Sequence, residues 1–207
     1  LRGGCLSFFS LNDKKISLHY IQLLDTLDVT ANYIDLSSRN SFFEIGGGFG
    51  VNTHLLIENF PNIRKIIYLD IPPNLYVGTQ YLKSFYGPKV KTYRETKGLD
   101  TISFAPNDEL EIICITPEQI EKLNCEIDLF HNAGSFVEMP QEIVANYASH
   151  VERLLTKTSG AISLVSYDGF DLNTTFNPDN LPSFFKKPHK KYEVETVNLN
   201  HDFHYII

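Results

Sequence analysis

Residues 41–56 read SFFEIGGGFGVNTHLL, with four glycines in five positions between an apolar run and a helix-like pattern. Without a Cβ, the backbone N–H groups of such a turn can be approached closely. The start of the following helix adds partial positive charge. A tight turn alone needs fewer glycines. One user of this geometry is a dinucleotide, whose fingerprint G-x-G-x-x-G needs a third glycine for close helix packing. Counted from Gly46 the sixth position is Val51, and from Gly48 it is Thr53, so neither frame fits. This spacing argues against a nicotinamide-dependent Rossmann oxidoreductase. What is present is an acidic residue followed by alternate glycines, Glu44-x-Gly46-x-Gly48-x-Gly50.

Other residues of chemical interest close apolar runs. Asp70 and Ile71 end KIIYLDI (65–71). A carboxylate at the C-terminal end of a buried strand lies in the ligand crevice of an open α/β sheet and can accept two hydroxyl hydrogen bonds. The structural alternative is a helix N-cap before Pro72-Pro73. IDLFHN (127–132) ends in His131 and Asn132, with Ser135 and Glu138 soon after. His131 is a candidate base, since imidazole titrates nearest neutral pH, or else a hydrogen-bonded core histidine. Glu138 faces an acceptor or serves as a first-turn helix charge. Asp168, after the run 161–167, is the third catalytic candidate. His54 and His150 fall on predicted helices and are read as packing or solvent contacts. In His201-Asp202-Phe203-His204 the two histidines would point to opposite faces of a strand, so no metal site is expected there.

These residues need a scaffold, and the pattern of alternating helices and short β-branched or aromatic runs is that of a largely parallel sheet covered on both faces. Ile16, Tyr20, Leu23, Leu24, Leu27, Ala31 and Ile34 recur at helical spacing, predicting a helix over about 16–36. Strands are predicted at 41–45, 65–71, 111–116, 127–132 and 161–167. Helices are predicted at 51–60, from Pro72-Pro73 to Phe85, at 117–123, and from Pro140 to Leu155. Residues 89–110 read as an excursion in which 89–93 could form a strand. The tail from Tyr192 to Ile207 alternates like a hairpin with NLNH (198–201) as its turn. One domain is expected over 1–207, with a helical segment at 1–40 and a core at 41–207.

Glu44-Ile45-Gly46-Gly47-Gly48-Phe49-Gly50 resembles the first motif of the class I S-adenosylmethionine-dependent methyltransferases. In that family a carboxylate in the position of Asp70 holds the ribose hydroxyls. Two more stretches, LDIPPNLYVGTQYL (69–82) and DLFHNAGSFVEMP (128–140), resemble signatures of the sugar O-methyltransferases associated with surface polysaccharide genes. Together the match covers about residues 40–155. It implies a three-layer, Rossmann-like α/β sheet, mostly parallel with an antiparallel C-terminal hairpin. It also implies S-adenosyl-L-methionine as cofactor and a sugar or glycan hydroxyl as acceptor. The cofactor would contact Glu44, Gly46, Gly48, Gly50, Asp70, Ile71, Thr116, Pro117, Asn132 and Ser135, with adenine beside Thr116 and Pro117. His131, Glu138 and Asp168 would serve the acceptor. Ser166-Tyr167-Asp168 departs from the asparagine expected after the fifth strand. No Asn-Pro-Pro-aromatic follows the fourth, which speaks against amino-methylating nucleic-acid enzymes. A non-catalytic module of the same fold is the third reading.

Composition agrees with an ordinary globular domain: 207 residues, 43% hydrophobic, 21% charged and a formal charge of −7. That charge argues against a nucleic-acid or anionic-membrane surface, and the cluster Lys186-Lys187-Pro188-His189-Lys190-Lys191 reads as a solvated loop. Cys5, Cys114 and Cys125 lack metal-type spacing and are odd in number, fitting a reducing, cytoplasmic compartment. No apolar run approaches the roughly 20 residues of a membrane span, and no signal-peptide pattern is present. The chain opens on Leu1 and not Met, so a longer protein is expected.

Overall fold

The computed structural model describes residues 8–156, 160–167, 175–186, 190–195 and 201–207. The chain enters through a hairpin, β1 (Phe9–Leu11) and β2 (Lys14–Ile16). Its two turn residues, Asn12 and Asp13, both take positive φ (49° and 62°), which these side chains tolerate and a two-residue hairpin turn demands. Within the segment expected to be helical, residues 9–16 are thus a hairpin. Helix α1 spans only Leu18–Tyr33, because the Ser17 hydroxyl accepts the Tyr20 N–H at 3.1 Å and fixes its start. A 3₁₀ turn at Leu36–Ser38 leads into β3 (Ser41–Ile45).

Then follow α2 (Val51–Asn59), β4 (Lys65–Leu69), α3 (Pro72–Tyr86), β5 (Val90–Lys91), α4 (Tyr93–Thr96) and β6 (Glu111–Ile115). A 3₁₀ helix at Pro117–Lys122 precedes β7 (Leu129–Ala133), α5 (Gln141–Leu154) and β8 (Ala161–Tyr167). β9 (Lys190–Glu195) and β10 (His201–Ile206) form the expected C-terminal antiparallel pair. Ile127, read as the start of a strand, instead bridges Leu155 ahead of β7. The 89–110 excursion holds the short β5 and α4, the latter started by reciprocal Thr92 and Glu95 hydrogen bonds. Lys190 and Lys191, read as loop, belong to β9.

The main sheet runs β5-β6-β4-β3-β7-β8-β10-β9, parallel through β8, with β10 antiparallel to both β8 and β9. Strand order reverses between β3 and β7, the place where an open α/β sheet leaves a crevice at its strand ends. Side-chain alternation splits the interior in two. Phe42, Ile66, Tyr68, Ile112 and Leu129 pack on one face with Leu27 of α1, Leu55 of α2 and Leu82 of α3. Phe43, Ile67, Ile113, Phe130 and Ile162 pack on the other with Val144, Tyr147 and Val151 of α5. Among the described residues, no helix is long and apolar enough to cross a membrane.

Candidate functional site

β3 delivers the glycine turn to the reversal point. The Gly46 N–H bonds the Leu69 carbonyl at 2.9 Å, tying the turn to the end of β4. Gly46, Gly48 and Gly50 all have positive φ (76°, 57° and 82°), a region that side chains with a Cβ enter at a cost. A Cβ at Gly46 would fall 2.2 Å from the Ser135 Oγ, whereas one at Gly48 would meet nothing within 4 Å. The first glycine is therefore required by packing, and the second leaves open space above the turn.

Asp70 stands opposite. Its Oδ2 accepts the Gly48 N–H and its Oδ1 the Ile71 N–H, both at 2.7 Å. The helix N-cap position falls on Ile71, so the carboxylate clasps the glycine turn and does not cap α3. Burial raises the Asp70 pKa, opposed by those two amides and by the Asn74 side chain. Of the roughly four lone-pair sites of the carboxylate, the Gly48 and Ile71 amides and the Asn74 side chain take three, and a further acceptor position remains for a hydroxyl.

These groups open on a cavity of about 380 Å³ lined by Gly46, Asp70, Ile71, Asn74, Pro117, Ala133, Ser135, Glu138, Met139 and Tyr147, together with the ends of β3 and β4. Its acidic side chains are Asp70 and Glu138, and no Lys, Arg or His is among these lining residues. Of the residues expected at the site, Gly46, Asp70, Ile71, Pro117, Ser135 and Glu138 are brought together here.

The others stand elsewhere. Glu44 lies beneath the turn, 3% exposed, accepting from Asn52 Nδ2 (2.7 Å) and Thr53 Oγ1 (2.6 Å) in the first turn of α2. Burial raises its pKa, offset in part by those two donors. It anchors α2 against the turn. Gly50 caps α2 and packs on Leu82 of α3. Thr116 starts the 3₁₀ helix and faces a separate cleft. Asn132 is a strut: its Nδ2 donates to the Ile45 carbonyl (2.8 Å) and the Ser135 Oγ (2.6 Å), and its Oδ1 accepts the Phe136 N–H (3.1 Å). It holds the loop after β7 against the end of β3. Asp168 lies outside the described residues.

His131 is not among the cavity's lining residues. It sits on the α1 side of β7, 3% exposed, with Nδ1 3.1 Å from Ser163 Oγ and its ring stacked on Phe42 at 6.2 Å. Ser163 in turn meets Thr30 of α1 at 3.3 Å. This is the core-histidine alternative. We expect His131→Ala to lower stability by about 2–4 kcal/mol, because it leaves a void and removes one of the two partners of the buried Ser163 hydroxyl. The check is chemical denaturation, with ligand affinity per folded molecule unchanged.

One supporting residue escaped sequence reading. Tyr68 is fully buried, and its hydroxyl donates to the Gly48 carbonyl at 2.5 Å. Burial first, then the Asp70 and Glu44 carboxylates, drives its pKa far up, so the phenol stays a neutral donor. Its ring fills the space against Gly47 and Gly78, where an added Cβ would fall 2.3 Å and 2.1 Å from it. A glycine in mid-helix costs about 1 kcal/mol relative to alanine, and here the Tyr68 hydroxyl is what it makes room for. Gly78 was the signal available in the sequence.

No protein-family model matches the chain, and no curated protein matches it. Solved structures do. Mitomycin 7-O-methyltransferase MmcR superposes with a TM-score of 0.59 at 12% identity, covering 90% of this chain and 53% of that one. Human N-acetylserotonin methyltransferase in complex with S-adenosylmethionine gives 0.56 at 12%, covering 89% and 51%. Magnesium protoporphyrin IX methyltransferase from Synechocystis with bound S-adenosylhomocysteine gives 0.57 at 9%, covering 91% and 82%. The chain spans about half the length of the first two. At these identities the likeness is one of fold, and the fold is the Rossmann-like one of these methyltransferases.

Proposed function

We propose that this chain is an S-adenosylmethionine-dependent O-methyltransferase acting on a sugar or glycan hydroxyl. The observation that carries the cofactor is the charge of the cavity. Carboxylates line it without a cation among the described lining residues, and Asp70 already occupies the Gly48 N–H. A dinucleotide would bring its diphosphate to the glycine amides, against this carboxylate. A sulfonium, with a ribose diol for Asp70, meets complementary charge instead.

When bound, such a cofactor supplies an electrophilic methyl for in-line displacement. An acceptor hydroxyl taking that methyl would give up its proton to a base of this chain, while the cofactor would be released as the neutral sulfide. Asp70 would fix the ribose. Ser135, held by the Asn132 strut, and Met139 and Tyr147 would shape the methyl end and limit water there. Glu138, an exposed carboxylate at the rim of the cavity, is the group we assign as base in place of His131. The sugar acceptor is supported by the resemblance of 69–82 and 128–140 to that group of enzymes.

Asp70→Ala should weaken S-adenosylhomocysteine binding by about 1–3 kcal/mol, measured by calorimetry, since buried hydroxyls lose a charged partner. Transfer of labelled methyl to glycan hydroxyls, set against phenols and carboxylic acids, tests the acceptor. Preferential labelling of glycan supports it, and labelling of another class replaces the sugar. Binding without transfer to any acceptor would favour the non-catalytic module.

A further inference from the structure

A second cleft, about 490 Å³, runs beside α3 and is separate from the central cavity. The partition between them consists of consecutive residues that face opposite ways. Ile71 and Pro117 line the central cavity, whereas Pro72, Thr116 and Glu118 line the cleft. Its far end is marked by Lys83, which helix geometry places about 16 Å from Pro72 along α3. The volume lies within the range of small-molecule sites.

The lining is unlike the rest of this acidic chain. Lys83 and Arg94 both face the cleft, and neither forms an ion pair or side-chain hydrogen bond among the described residues. Tyr76 and Tyr93 offer ring surface, 67% and 39% exposed. Glu118 is engaged by the Thr116 hydroxyl at 2.6 Å, at the partition end. Lys83 also feels the nearby Glu95 carboxylate without an ion pair to it, so it and Arg94 both keep donors for an anion, and two exposed aromatic faces attract a flat ring.

We propose that this cleft is a second binding site, for a small planar aromatic ring carrying an anionic group, with the anion on Lys83 and Arg94 and the ring against Tyr76 and Tyr93. The proposal does not depend on the reaction assigned to the central cavity. Phenyl phosphate is the probe, with phenol and inorganic phosphate as its halves, titrated by calorimetry. Saturable binding of phenyl phosphate, tighter than either half, is expected. The Lys83→Ala, Arg94→Ala double variant should weaken it by about tenfold or more, as loss of charge-assisted contacts does. Saturating S-adenosylhomocysteine should leave the affinity unchanged. No saturation at millimolar probe, equal affinity in the double variant, or displacement by S-adenosylhomocysteine would each overturn the site. The last outcome would assign the probe to the central cavity. If S-adenosylhomocysteine itself fails to bind, the double variant still decides the cleft.

Discussion

Glu138→Gln is expected to cut methyl transfer by about 10²–10⁴-fold while leaving S-adenosylhomocysteine affinity nearly intact. The amide keeps the size and hydrogen-bonding reach of the carboxylate and cannot take the acceptor's proton. Glu138 lies in the short 3₁₀ turn Ser135–Glu138, which Gly134 enters at φ 77° and which the Asn132 strut fixes against β3. The carboxylate is therefore carried on a positioned segment. Single-turnover rates with a glycan acceptor make the check. An unchanged rate would remove Glu138 from the chemistry and send the search to residues after β8.

Tyr68→Ala should be the most damaging change to the fold, at about 3–5 kcal/mol of stability, as expected for deleting a fully buried aromatic ring. The void would open directly under Gly47, Gly48 and Gly78, so the turn should loosen with the core. Tyr68→Phe separates the two consequences. It keeps the ring and removes only the hydroxyl on the Gly48 carbonyl, so stability should fall by about 0.5–1.5 kcal/mol. S-adenosylhomocysteine binding should weaken as well, because Gly48 then keeps only its Asp70 hydrogen bond. Thermal denaturation with and without ligand measures both. Equal ligand-induced stabilisation in Tyr68→Phe and the natural protein would show that the hydroxyl plays no part in holding the turn.

The parts of the site readable in the sequence were those carried by one local motif. Glycine spacing after an apolar run located the turn, and the end of the next run located Asp70, because both depend on short-range chain geometry. His131 was placed at the right strand and given the wrong direction. β7 is buried on both faces, so its residues show no polar alternation from which to read which way each points. Phe42 and Ser163, which settle the matter, come from neighbouring strands far away in sequence. Tyr68 was hidden for the same reason, since in KIIYL it reads as one more apolar strand position. The β1–β2 hairpin was lost because helical spacing around Ile16 and Tyr20 extends across its boundary, while the evidence against it lay in the two-residue Asn12-Asp13 turn.

The most direct measurement is a calorimetric titration of the chain with S-adenosylhomocysteine, run beside one with NAD. A cavity that offers carboxylates and a carboxylate-capped glycine amide predicts saturable one-site binding of S-adenosylhomocysteine, weakened in Asp70→Ala, and no binding of NAD. Saturable binding of NAD with none of S-adenosylhomocysteine would contradict it.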